Sequence, residues 1–197
     1  MNRLLAAILL AGPIVLLAAA CSAPPAPRIE NREVLATGLS EGLGGLRDFL
    51  GEWTVTVESR AGAGAEWSTY VTSSSIRAAL GGVGLEERVR MQDPAGDWCE
   101  IMGLRTWDPY RELFRVAYLD SRFGLLDVYE GGVEEDGAWV GSNTTTGTSI
   151  HHEKTEYWSR YRMRRLGPDR FRTIWEGSDD GGRSWTELNR MNYARRR

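Results

Sequence analysis

The stretch Gly51-Glu52-Trp53-Thr54-Val55-Thr56-Val57-Glu58-Ser59 decides the fold. Trp53, Val55 and Val57 alternate with Glu52, Thr54, Thr56 and Glu58, a period of two that puts the apolar side chains on one face of a strand. β-Branched Val and Thr suit that conformation. The same pattern, rich in Val, Thr, Tyr and Trp, recurs downstream. From Glu52–Ser59 onward it predicts strands near Glu66–Ile76, Gly84–Met91, Cys99–Trp107, Glu112–Leu119 and Leu125–Glu130. Four more follow near Ala138–Thr145, Thr155–Arg164, Arg170–Glu176 and Trp185–Tyr193. Turn residues separate them, as in Asp93-Pro94-Ala95-Gly96, Asp108-Pro109, Gly167-Pro168-Asp169 and Asp179-Asp180-Gly181-Gly182. Short strands at such spacing make an all-β domain, and the absence of a long crossover favours an antiparallel up-and-down barrel of about ten strands.

Upstream of the first strand the period changes. Leu43, Leu46, Phe49 and Leu50 recur three and four residues apart, which predicts a short helix over Leu39–Leu50 with Ser40 as its N-cap. Gly42, Gly44 and Gly45 weaken it, so it needs tertiary packing.

Gly51-Glu52-Trp53, placed after a short helix and opening the first strand, resembles the Gly-x-Trp of lipocalin-like (calycin) barrels. Asp180-Gly181-Gly182-Arg183-Ser184-Trp185, followed by Tyr193-Ala194-Arg195, is similar to the last hairpin of a bacterial family with no assigned function and an expected lipocalin-like barrel. The resemblance covers about Leu46 to Arg195 and implies a fold rather than a chemistry. A barrel of about eight strands holds its own side chains or one small ligand, and a wider one leaves more room. Trp53 is expected to plug one end. Eight Trp and seven Tyr are enough to fill much of the interior, so a barrel packed shut, serving as an envelope scaffold or interaction module, is the alternative.

The candidate ligand-binding residues are Trp53, Tyr157, Tyr161, Trp175, Tyr193 and Arg195. Tyr157, Ser159, Tyr161 and Met163 share one strand face, opposite Trp158, Arg160, Arg162 and Arg164. Phe171, Thr173 and Trp175 on the next strand face the same way. Aromatic bodies with polar tips suit a small amphipathic ligand, and they also suit an ordinary core. Tyr193 and Arg195 lie two apart, as do the Arg and Tyr that hold a carboxylate on the last strand of fatty-acid-binding barrels, although the order is reversed here.

No catalytic constellation stands out. Ser73, Ser74 and Ser75 lack a nucleophile elbow, and the adjacent acids Glu86-Glu87 should be splayed to opposite faces of a strand. His151 and His152 are also adjacent, with no further ligand spaced for a metal, so neither a metal nor a cofactor is expected. Ser178-Asp179-Asp180-Gly181-Gly182-Arg183-Ser184-Trp185 resembles the Asp-box of sialidases, a folding device in which Asp orders a turn. One copy in so short a chain does not make a propeller.

The N-terminus addresses the chain. Met1-Asn2-Arg3 precedes an uncharged run from Leu4 to Ala20, broken by Gly12-Pro13 and shorter than the roughly 20 residues of a membrane span. Residues 1–20 therefore read as a secretory signal. Leu17-Ala18-Ala19-Ala20-Cys21 resembles the lipobox of bacterial lipoproteins, which implies cleavage before Cys21 and acyl chains such as palmitate on its sulfur. That leaves Cys99 as a buried thiol. Ser22 rather than Asp after the cysteine implies the outer membrane, facing the periplasm. Residues 21–38 include the extended tether Ser22-Ala23-Pro24-Pro25-Ala26-Pro27, and 39–197 form the barrel domain. The formal net charge of −3 becomes −4 once Arg3 leaves with the signal, and Lys154 is the sole lysine. This balance excludes a nucleic-acid footprint. The expected partners are the bilayer, through acylated Cys21, and a small apolar or amphipathic ligand held by a monomer.

Overall fold

A computed structural model describes residues 45–92, 96–152 and 154–197, so the expected signal, lipidation site and tether lie outside the described residues. Eleven strands occur in it: β1 Gly51–Ser59, β2 Ser68–Ala79, β3 Gly84–Gln92, β4 Trp98–Asp108, β5 Leu113–Asp120 and β6 Leu125–Val133, then β7 Trp139–Ser142, β8 Ile150–His152, β9 Thr155–Gly167, β10 Arg170–Ser178 and β11 Thr186–Arg195. Consecutive strands from β1 to β7 pair antiparallel, β7 pairs β9, β9 pairs β10, β10 pairs β11, and β11 returns to β1. The result is a closed, all-antiparallel, lipocalin-like barrel of ten strands, with β8 as a short extra partner of β9. Closure leaves no long free edge on the barrel wall.

All ten expected strands are present, with ends displaced by a few residues. β7 is the strand that is shortened most, since it stops at Ser142 instead of continuing to Thr145. There the side chain of Asn143 takes over the strand's bonding, because its Oδ1 accepts the Ser159 N–H at 2.7 Å. The hydroxyl of Thr146 donates to the Val128 carbonyl at 2.7 Å. Side chains thus hold the 143–149 segment where a ladder would otherwise run.

The expected helix is corrected in its described part. Residues Arg47–Phe49 form a single 3₁₀ turn, and 39–44 lie outside the described residues. The turn is tied to the barrel: Trp53 Nε1 donates to the Phe49 carbonyl at 2.9 Å. Trp53 is buried, with Phe171 edge-on at 4.8 Å and the Arg195 guanidinium over its ring at 4.3 Å. Arg195 also donates from Nη1 to the Leu50 carbonyl at 2.7 Å and from Nη2 to the Asp48 carbonyl at 2.9 Å. Gly51 is required beneath it, since its φ is 140° and a Cβ there would lie 2.5 Å from Arg195 Nη1. Beside this plug a second aromatic group, Trp107, Phe114 and Trp139, packs with centroids 4.0 and 4.6 Å apart. One end of the barrel is therefore closed by rings.

Between β10 and β11 the Asp-box-like turn is ordered as its sequence implies. Asp180 Oδ1 accepts the N–H groups of Arg183 at 3.0 Å and Ser184 at 2.9 Å, and Oδ2 accepts the Ser184 hydroxyl at 2.6 Å. These bonds hold the Asp180 carboxyl well below the usual carboxylate range.

Trp53→Ala removes a fully buried side chain and the anchor of the 3₁₀ turn. The expected loss is about 3–5 kcal/mol in urea unfolding followed by circular dichroism.

Candidate functional site

Inward positions alternate with outward ones along the strands, apart from register shifts in β10, and toward the middle of the barrel they turn from apolar to polar. On β3 the phase of Leu85, Glu87 and Val89 points Glu87 inward. Arg105 on β4 and Tyr118 on β5 point inward by the same rule, as do Ser74 on β2 and Tyr193 on β11. These side chains meet. Arg105 Nη2 donates to Glu87 Oε2 at 2.5 Å and to the Tyr118 hydroxyl at 2.6 Å. Glu87 Oε1 accepts the hydroxyls of Ser74 at 2.8 Å and Tyr193 at 2.9 Å. Glu87 is 3% exposed and Arg105 4%, so a full ion pair stands inside the barrel.

Local sequence makes the room. Gly103 faces Tyr118 across the β4–β5 ladder, and a Cβ on Gly103 would sit 2.7 Å from the ring. Gly141 faces Tyr161 in the same way, with a Cβ clash at 2.6 Å. Each glycine allows a phenol to lie flat against the opposite strand. Tyr118, Tyr129, Tyr161 and Trp175 then form an edge-to-face cluster with centroids 5.0–6.2 Å apart. Against it lies a second polar group. Asp127 accepts the Tyr129 hydroxyl at 2.5 Å, the Thr148 hydroxyl at 2.7 Å and the Asn143 amide at 3.2 Å.

Burial raises the pKa of each of the buried phenols. It lifts Tyr118 far above the ordinary phenol value against the pull of Arg105, and Tyr161 to about 12. Tyr193 is lifted by burial and by the charge of Glu87, and Tyr129 by burial and by Asp127. All four are neutral O–H groups at neutral pH. Burial works against the charge of Arg105, but the Tyr118 and Glu87 oxygens outweigh it and hold the guanidinium protonated.

A cavity of about 600 Å³ reaches from this polar floor to the end of the barrel opposite the Trp53 plug. That volume falls in the range of small-molecule sites. Its floor is Glu87, Arg105, Tyr118 and Tyr193, and its middle is walled by Val89, Met91, Ile101, Trp175 and Met191. Arg60, Glu66, Asp120 and Arg122 stand at the rim, together with Leu125 and Ile150.

The candidate residues fall into four places. Trp175 and Tyr193 line the cavity. Tyr161 is buried behind Trp175, their centroids 5.4 Å apart. Tyr157 is 41% exposed at the start of β9, and Trp53 and Arg195 close the far end. The Tyr193–Arg195 pair is thus divided: Tyr193 bonds Glu87 at the floor, while the Arg195 guanidinium bonds the carbonyls of the 3₁₀ turn and Asp169. His151 is exposed, with Nε2 3.5 Å from Glu156. Among the described residues no cluster of three or more His, Cys, Asp or Glu is placed to hold a metal. Cys99 is buried on β4, its thiol 3.6 Å from the Met91 carbonyl. Glu87, Arg105 and Tyr118 are absent from the sequence-based candidates. Their signal was strand phase, since Glu86 and Glu87 do splay apart, Glu86 outward to Arg88 and Glu87 inward to Arg105.

A family model described as "Protein of unknown function (DUF1579)" matches residues 45–195. The chain belongs to that family. The match spans the barrel from the 3₁₀ turn to Arg195, so every residue of the DUF1579 cavity lies inside it. Two solved structures share the fold. Rv2717c from M. tuberculosis is 14% identical, with a TM-score of 0.58 over 79% of this chain and 98% of that one. The S-type phycobiliprotein lyase CPES from Guillardia theta is 11% identical, with a TM-score of 0.54 over 82% of this chain and 97% of that one. No curated protein matches the DUF1579 chain.

Arg105→Met leaves Glu87 buried without its cation. It should cost about 3–5 kcal/mol in urea unfolding, and an unchanged midpoint would show that the pair is not an internal ion pair in solution.

Proposed function

We propose that this protein is a non-catalytic binding protein of the bacterial envelope, holding a small, largely apolar molecule in its barrel as a monomer. The observation that carries this reading is the cavity of about 600 Å³, apolar in the middle and polar at its floor. A scaffold packed shut, the alternative use of such a barrel, would have filled that space, and the aromatic side chains available to do so cluster at the closed end and on one wall instead. Enclosed apolar wall with a few convergent polar groups is the usual form of a small-molecule site. Binding follows from those residues, whereas the one carboxylate beside the Ser74 and Tyr193 hydroxyls, Glu87, is paired with the Arg105 cation, which weakens it as a base.

The remainder of the proposal rests on the N-terminal sequence. The signal over 1–20 and the lipobox-like end at Cys21 support export, acylation and retention at the outer membrane on the periplasmic side.

Met191 projects into the middle of the cavity from β11. Met191→Trp should fill it. The neutral fluorophore N-phenyl-1-naphthylamine is expected to bind the wild-type protein and to lose at least tenfold in affinity for the variant, with the fold intact by circular dichroism. Equal binding to both would place the dye elsewhere and count against the cavity. For the anchor, Cys21→Ala should give unprocessed or soluble protein in fractionated cells, and normal cleavage with unchanged membrane retention would refute acylation.

A further inference from the structure

The cavity floor holds more hydrogen-bond donors than acceptors. Glu87 is already engaged through both oxygens, by Ser74, Tyr193 and Arg105. Arg105 makes both of its hydrogen bonds from Nη2, and its Nε–H is buried with no acceptor among the described residues. The Tyr118 oxygen accepts one of those bonds, and its own hydrogen has no acceptor among the described residues. Burial keeps that hydroxyl protonated. The Arg105 Nε–H is sealed from the cavity, whereas Nη1, which makes no hydrogen bond among the described residues and is not sealed, and the Tyr118 hydroxyl offer unused donors at the floor. Buried polar groups are normally satisfied, and a floor with this imbalance is completed by an oxygen brought from outside.

The charge of that oxygen follows from what surrounds it. The Arg105 cation is matched by Glu87 at 2.5 Å, and a second carboxylate, Asp127, stands in the cavity wall. An anionic headgroup would add a further negative charge in a water-poor space whose cation is already neutralised. A neutral acceptor meets the same donors without that penalty. Beyond the floor, Val89, Met91, Ile101 and Met191 offer hydrocarbon and thioether surface, interrupted by Thr173 and Asn189.

Building on the binding role proposed above, we infer that Tyr118 and Arg105 form a site for a neutral carbonyl oxygen on a small molecule that is otherwise mostly hydrocarbon. Tyr118 donates its O–H to the carbonyl and Arg105 supplies a second N–H. The Glu87 carboxylate positions Arg105 and does not contact the ligand.

The test uses three probes of similar length, 2-undecanone, n-undecane and decanoate, each competing with N-phenyl-1-naphthylamine for the barrel at neutral pH. The ketone is expected to displace the dye about tenfold more tightly than the alkane, the worth of one good hydrogen bond, and more tightly than decanoate. Tyr118→Phe should erase the preference for ketone over alkane, read as the ratio of the two affinities in the same variant. Should that variant misfold, infrared spectroscopy of the ketone bound to wild-type protein gives the same answer. Its carbonyl stretch should lie below that of the ketone dissolved in alkane. An alkane that competes as well as the ketone, a tighter decanoate, or an unshifted carbonyl stretch would each overturn the carbonyl site while leaving cavity binding intact. If neither the dye nor any probe binds, the binding role fails and the carbonyl site fails with it.

Discussion

Closure of ten antiparallel strands into one sheet sets the terms for everything inside it. Backbone groups along the wall find partners on neighbouring strands, so interior chemistry is left to side chains alone. A ten-stranded ring also encloses more space than the minimal eight. This chain answers that surplus unevenly. At one end, rings and a 3₁₀ turn occupy the bore, with Trp53 bonded to Phe49 and clamped by Arg195. Toward the other end, aliphatic side chains line an open cavity. In the middle lie the buried charges, Glu87 and Arg105, each with a hydroxyl beside it. Such a pair in place of apolar residues is weak evidence for stability, which points to the interior's use rather than its packing as the reason for keeping it.

Strand content was legible because period-two patterning is local. Trp53, Val55 and Val57 announce their face without reference to any other strand. Trp53 as plug and Asp180 as turn residue were legible for the same reason, since each acts within a few positions of itself. Less was legible where side chains act across the barrel. Arg195 and Tyr193 share a face, and sequence spacing joins them into one headgroup site. In the folded barrel, two residues of rise and the length of an arginine carry the guanidinium to the closed end, where three oxygens and an indole hold it. Likewise Glu87, Arg105 and Tyr118 are 18 and 13 residues apart, and only the register of β3, β4 and β5 joins them. Gly103 was a usable clue: a glycine at an inward strand position signals something large lying opposite, here the Tyr118 ring.

The two polar clusters divide labour differently. Asp127, with Asn143, Thr148 and Tyr129, ties the 143–149 segment to the wall and satisfies nearly all of its own bonding. It is a structural knot in the cavity wall. The Glu87–Arg105–Tyr118 group meets the aromatic cluster through Tyr118 and remains incomplete, with a guanidinium nitrogen lacking an acceptor among the described residues. Two buried acids in one barrel thus hold different stations, one fastening a loop and one steadying a cation.

Pairing of the first strand with the last has a consequence for how the molecule comes into being. Trp53 sits opposite Arg195, across nearly the whole length of the barrel domain. Such contacts raise contact order and slow folding. The ring has no stable version lacking β11, since without it β1 and β10 would present bare edges and the cavity would lack the wall that carries Met191 and Tyr193. Assembly therefore waits for β11, the last strand in chain order, before the ring and its cavity can close.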